Sequence, residues 1–146
     1  MRKVSVKAVL IGGITDVVLS AILGIPLGIY VMSSRGIFGL PKEQMQAAAI
    51  SAIHGSAGLY AIQLIIGLGC SVLGGYIAAR IAKHDELLNG IVASWLCVAI
   101  GIYSLAAGRS SEPVVLVLLL IAVTPACYLL GSYFRLRSVR ASGAAT

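Results

Sequence analysis

Residues 12–28, GGITDVVLSAILGIPLG, carry one carboxylate, Asp16, in a run that is otherwise apolar or small. Gly12, Asp16, Ser20, Gly24 and Gly28 recur at every fourth position. On a helix they fall on one face, and large aliphatic residues occupy the others. Such a helix suits hydrocarbon, where helices associate by close contact and small residues let the backbones approach.

The apolar run around this stretch covers residues 8–32, and three others follow at 57–79, 87–107 and 114–134. Each is about 20 residues or longer, enough to cross roughly 30 Å of hydrocarbon at about 1.5 Å per residue. Of the 146 residues, 59% are hydrophobic and only 11% are charged, with a mean hydropathy of +1.00. A soluble domain carries about a quarter charged residues, so water is excluded as the main solvent. The expected fold is all-α, a four-transmembrane-helix bundle forming a single membrane domain over residues 1–146.

Polar punctuation separates the spans: SSRGIFGLPKEQMQ, then RIAKHDE, then GRSSE. Pro41 followed by Glu43 reads as a helix start, which predicts a short interfacial helix over 41–56 or an extension of the second span. Basic residues give an orientation. Arg2, Lys3, Lys7, Arg80, Lys83, Arg135, Arg137 and Arg140 flank one side, and only Arg35, Lys42 and Arg109 flank the other. By the positive-inside rule both termini and the middle loop are expected in the cytoplasm. The net charge of +6 then serves orientation and contact with anionic head groups. Nucleic acid is not an expected partner, because these cations are spread over short flanks without interleaved aromatic residues. The first run is longer than a signal-peptide core and ends in no small-residue cleavage site, so it is expected to remain as a span. RLRSVR is expected to be a flank that stops transfer, followed by a disordered ASGAAT.

Each span has a face of small or weakly polar residues. The second has Gly67, Ser71, Gly75 and Ala79, with Gly74 beside them; the third has Gly90, Ser94, Cys97, Gly101 and Ser104. The fourth offers Thr124, Cys127, Tyr128 and Gly131. Gly12, Ser20, Gly24, Gly67, Gly75, Gly90 and Gly101 are therefore expected to pack helices together. Pro26 and Pro125 lie inside spans, where a hydroxyl such as that of Thr124 can serve the freed carbonyl.

Asp16 is the main candidate for a functional role. A central aspartate costs about 2.5–3.5 kcal/mol on insertion scales, so it is expected to face a partner or water. Counting inward from the charged flanks puts Ser71 and Ser94 near its depth, and Arg80 and Lys7 about two turns away. The expected intramembrane polar site is therefore Asp16, Ser71 and Ser94. Two readings stay open: an acid hydrogen-bonded to those hydroxyls that cements the bundle, or a proton or cation site used in transport. Cys70, Cys97 and Cys127 fall in the same layer by this count, but with no C-x-x-C or histidine beside them they read as small packing residues, and no metal is expected. Gln63, deep in the second span, needs a partner across the bundle.

No phosphate-binding glycine loop, serine elbow or zinc-binding helix motif occurs, so neither an enzyme nor a cofactor is expected. His54 and His84 are assigned to opposite faces of the membrane, which excludes a shared ligand. In KHDE, Asp85 is expected to cap the third span and Glu86 to stabilise its positive end.

The segment GGYIAARIAKHDELLNGIVAS, residues 74–94, and ITDVV around Asp16 resemble small four-helix integral membrane proteins of bacteria that have no assigned activity. The resemblance implies a bacterial inner (plasma) membrane and four helices, and carries no catalytic residue. Small multidrug transporters also have four helices and one acid in the first, but their tryptophan and tyrosine pattern is absent. The expected role is a structural or accessory component acting through helix contacts. The lipid bilayer, a second copy in a homodimer and another membrane protein are the candidate partners. The alternative is a small proton- or cation-coupled transporter centred on Asp16.

Overall fold

The computed structural model describes residues 4–108 and 113–143. Arg2, Lys3, Arg109 and the last three residues of the tail lie outside the described residues. The elements are α1 (Val6–Ser34), a 3-10 turn (Ile37–Gly39), α2 (Lys42–His54), α3 (Ala57–Ala82), α4 (Glu86–Ala106) and α5 (Val114–Gly143). No strand occurs among the described residues.

Four helices are long and apolar enough to cross a membrane: Val6–Ser34, Ala57–Ala82, Glu86–Ala106 and, within α5, Val114–Val139. No more than 28% of the most apolar stretch of any of them is buried within the protein. Large aliphatic and aromatic side chains such as Leu10, Ile14, Ile65, Trp95, Tyr103 and Val115 point outward. The buried set instead contains alanines together with Asp16, Ser71, Asn89, Ser94 and Ser132. A water-soluble bundle has the opposite arrangement, with its aliphatic stripe inside. This is a multi-pass membrane protein.

The chain forms two compact units. The first contains the opening part of α1, the closing part of α3, and α4 and α5. These segments form a four-helix bundle centred on Ala78, Ala93 and Tyr128, with Val9 and Cys97 packed against them. The second unit, residues 19–67, contains the rest of α1, the 3-10 turn, α2 and the opening part of α3. Its core is Val31, Ile37 and Ala49, with Met45, Ala52, Ile53 and Leu59 packed around it.

Helix ends follow local chemistry. Ser5 accepts a 3.4 Å bond from the Ala8 amide at the start of α1, the arrangement of an N-cap. Gly36 and Gly108 follow α1 and α4 with φ of 65° and 63°, a left-handed conformation that glycine adopts without steric penalty. α2 is separated from α3 by Gly55 and Ser56 and starts after Pro41, whose carbonyl accepts from the Gln44 and Met45 amides. It is thus a distinct short helix rather than an extension of α3. α5 continues through the arginine-rich flank to Gly143, so residues 141–143 of the tail are helical where disorder was expected. Arginine and alanine are good helix formers, and nothing before Gly143 stops the helix.

Three local expectations are corrected. Asp85 occupies the N-cap position of α4 in a left-handed conformation and makes no side-chain capping bond. The side-chain amide nitrogen of Asn89 donates to the carbonyls of His84 and Asp85, at 3.0 and 3.1 Å. Gln63 is exposed, so it does not point to a partner across the bundle. The Thr124 hydroxyl donates to Leu120 at 2.8 Å, whereas the carbonyl freed by Pro125 is that of Ile121, one residue further on.

Candidate polar site in the first unit

Asp16 lies on the inward face of α1 and is 3% exposed. Its Oδ2 accepts a hydrogen bond from each of the other three helices of the bundle. Ser71 Oγ on α3 donates at 2.9 Å, Tyr128 OH on α5 at 2.8 Å, and Cys97 Sγ on α4 at 3.2 Å. Cys97 Sγ and Tyr128 OH are also 3.5 Å apart. These donors supply the dipoles that the carboxyl group would otherwise take from water. Tyr128 is fully buried, and its ring forms the centre of the apolar core while its hydroxyl reaches the acid.

Small residues make this convergence possible. A Cβ on Gly12 would stand 2.6 Å from Ala78 Cβ and 2.9 Å from the Gly74 carbonyl, and one on Gly74 would press on Asp16 and on the Tyr128 hydroxyl, each at 3.1 Å. One turn nearer the Arg80 and Arg135 flanks, α3 and α5 meet backbone to backbone. A Cβ on Gly75 would enter the Tyr128 main chain, and one on Gly131 would enter the Val72 carbonyl and lie 2.8 Å from the Tyr76 amide. Ser132 Oγ donates at this crossing to Gly75 at 3.1 Å and Tyr128 at 3.0 Å. The place of a Cβ on Gly90 is taken by that same Ser132 hydroxyl, and a Cβ on Gly101 would lie 3.1 Å from Ile121. Gly24 and Gly67, in the second unit, have nothing within 4 Å of a Cβ, so the close packing expected of them is absent. Ser20, also in that unit, is half-buried.

Among the three residues expected to form the site, the structure brings Ser71 to Asp16 and does not bring Ser94. Ser94 is buried, but its hydroxyl donates to the Ile91 carbonyl of its own helix at 2.7 Å. The reason is register. Counting from the charged flanks sets Lys7 level with Glu86, whereas the Ser5 amide donates to Asn89 Oδ1 at 2.7 Å. The Ser5–Asn89 and Asp16–Cys97 pairs both shift α4 in the same sense from that count, and Cys97 meets the acid in place of Ser94. Tyr128, Cys97, Asn89 and Ser132 are the residues missed as contributors. Tyr128 carries the longest polar side chain within a turn of the expected depth on α5, and that length was the available signal.

Asn89 uses both ends of its amide to tie α1 to the α3–α4 turn, and it is fully buried. Asn89→Ala is expected to speed hydrogen exchange at the Ser5 amide. It should lower stability by about 1–3 kcal/mol, the cost of leaving buried groups without partners. Exchange mass spectrometry and a thermal melt in mild detergent check both effects.

No group of three or more His, Cys, Asp and Glu side chains among the described residues is placed to hold a metal ion. Cys70, Cys97 and Cys127 are free thiols. No family model matches the chain, and no curated protein or solved structure is similar to it.

Proposed function

We propose that this protein is a structural or accessory component of a bacterial inner membrane, with both termini and the α3–α4 turn in the cytoplasm, and that it meets its partners through the outer faces of its helices. The observation that carries this reading is the saturation of Asp16 Oδ2 by donors from α3, α4 and α5. A carboxyl group held from three directions is arranged to fasten helices. A transport site instead has to exchange its ligands in each cycle. The wide outward display of aliphatic and aromatic side chains supplies surface for contact with lipid, a second copy or another membrane protein.

The rival reading, a proton- or cation-coupled transporter, is tested by the same residue. Purified protein and Asp16→Asn are reconstituted in vesicles with a pH-sensitive dye inside, and proton flux is followed under an imposed gradient. The expected result is no flux above empty vesicles for either protein, with a lower melting temperature for the variant. Flux in the parent that Asp16→Asn abolishes would establish the transporter. The structural role also predicts that a photo-crosslinking residue at Trp95 or Val115, both exposed, gives a discrete heavier species in native membranes.

A further inference from the structure

Most polar side chains within the crossing helices are satisfied inside the protein. Asp16, Ser71 and Tyr128 bond to one another, and the hydroxyls of Thr15, Ser94 and Thr124 donate to carbonyls of their own helices, at 2.7, 2.7 and 2.8 Å. Gln63 on α3 differs. Its side chain is exposed, and among the described residues it has no hydrogen-bond partner. Ile62 beside it is exposed too, and the space around Gly67, one turn along the helix, is open.

The depth of Gln63 makes this exposure costly. It lies about 25 Å along α3 from Arg80 and about 9 Å in from Ala57, at about 1.5 Å per residue. Arg80 occupies the last turn of the helix, and the hydrocarbon is roughly 30 Å thick, so the carboxamide falls inside it. Acyl chains supply neither donor nor acceptor, and a polar side chain facing them is satisfied by another helix that carries both.

The geometry points to a second copy of this chain as that helix's source, packed on α3 through Ile62, Gln63 and Ile66, with the two Gln63 side chains bonded to each other. This rests on the reading that the protein meets its partners through outer helix faces, and it names the partner and the face. The choice of partner follows from the group itself. A carboxamide has an oxygen acceptor and N–H donors, so two of them complete each other through a pair of N–H···O bonds. A two-fold axis along the membrane normal keeps both copies in one orientation, sets the two glutamines at one depth and closes the assembly at a dimer. A different membrane protein would need a matching polar group at that same depth.

The test uses the full chain carrying a donor or acceptor fluorophore at its amino terminus, reconstituted in phosphatidylcholine vesicles and diluted with lipid. Energy transfer is expected to rise linearly with the acceptor fraction, as for a dimer. Gln63→Leu, at an exposed position, is expected to keep the melting temperature and to need about tenfold more protein per lipid for half-dimerisation, the size of two intramembrane hydrogen bonds. Gln63→Asn retains the carboxamide and is expected to recover most of the association. A photo-reactive residue in place of Ile62 is expected to give a species of twice the mass in native membranes. A parent protein that stays monomeric, Gln63→Leu dimerising as tightly as the parent, or a crosslinked species containing a different protein would each overturn the proposal. None of these results would alter the stability of the Asp16 variants, which tests the fastening role separately.

Discussion

Asp16→Leu is expected to cost about 2–5 kcal/mol of stability, from three intramembrane hydrogen bonds at about 0.6–1.7 kcal/mol each. Leucine carries the same number of heavy atoms beyond Cβ as aspartate, in the same branched shape, so overpacking contributes little. What the variant loses is the acceptor. Ser71 then loses its acceptor, and Cys97 and Tyr128 keep only each other at 3.5 Å, each residue being buried or half-buried. Asp16→Asn retains one carbonyl oxygen for the same donors and should lose about 1 kcal/mol, by comparison with single intramembrane bonds. Equilibrium unfolding in mixed micelles, with denaturing detergent as the variable, measures both. If Asp16→Leu came within about 0.5 kcal/mol of the parent, the size of an ordinary surface substitution, the acid would have no fastening role.

The second large effect belongs to the α3–α5 crossing. Gly131→Ala is expected to destabilise by about 3 kcal/mol or more, at the upper end of the range for overpacking. The added methyl meets the backbone of Val72 and Tyr76, and backbone cannot rotate aside as a flexible side chain can. A gain of about 1 kcal/mol in helix propensity from glycine to alanine does not offset this. Gly75→Ala should behave alike, since its new methyl would enter the Tyr128 main chain. Gly24→Ala and Gly67→Ala provide the contrast. Neither methyl would meet anything within 4 Å, so both are expected to be neutral or slightly stabilising in the same unfolding assay. Equal losses at Gly131 and Gly24 would contradict the packing described.

These contrasts show which features could be read from residue order and which could not. The spans were legible because hydrocarbon imposes length and apolarity on any helix that crosses it. The predicted run at 57–79 became Ala57–Ala82, and that at 87–107 became Glu86–Ala106. Asp16 was legible for the same reason, as a carboxylate in a medium that penalises it. Ser71 followed from a depth count along a helix of known rise. Relative helix register did not follow, because it depends on the Ser5–Asn89 contact between segments 84 residues apart. In the register observed, Cys97 meets the acid and Ser94 bonds to its own helix. Small-residue periodicity likewise marked Gly12, Gly75, Gly90 and Gly101 as well as Gly24 and Gly67. A repeat of four identifies a face on one helix and says nothing of whether another helix occupies it.

The gathering of donors around Asp16 also bears on how the protein is made. The acid leaves the ribosome before its partners, which emerge in the order Ser71, Cys97, Tyr128. A growing chain therefore enters the bilayer with its least lipid-compatible group unattended and completes the attachment only when α5 arrives. A polypeptide halted before Tyr128 keeps an acidic mark at the surface of an open helix assembly, which gives membrane proteases a chemical difference between finished and unfinished copies.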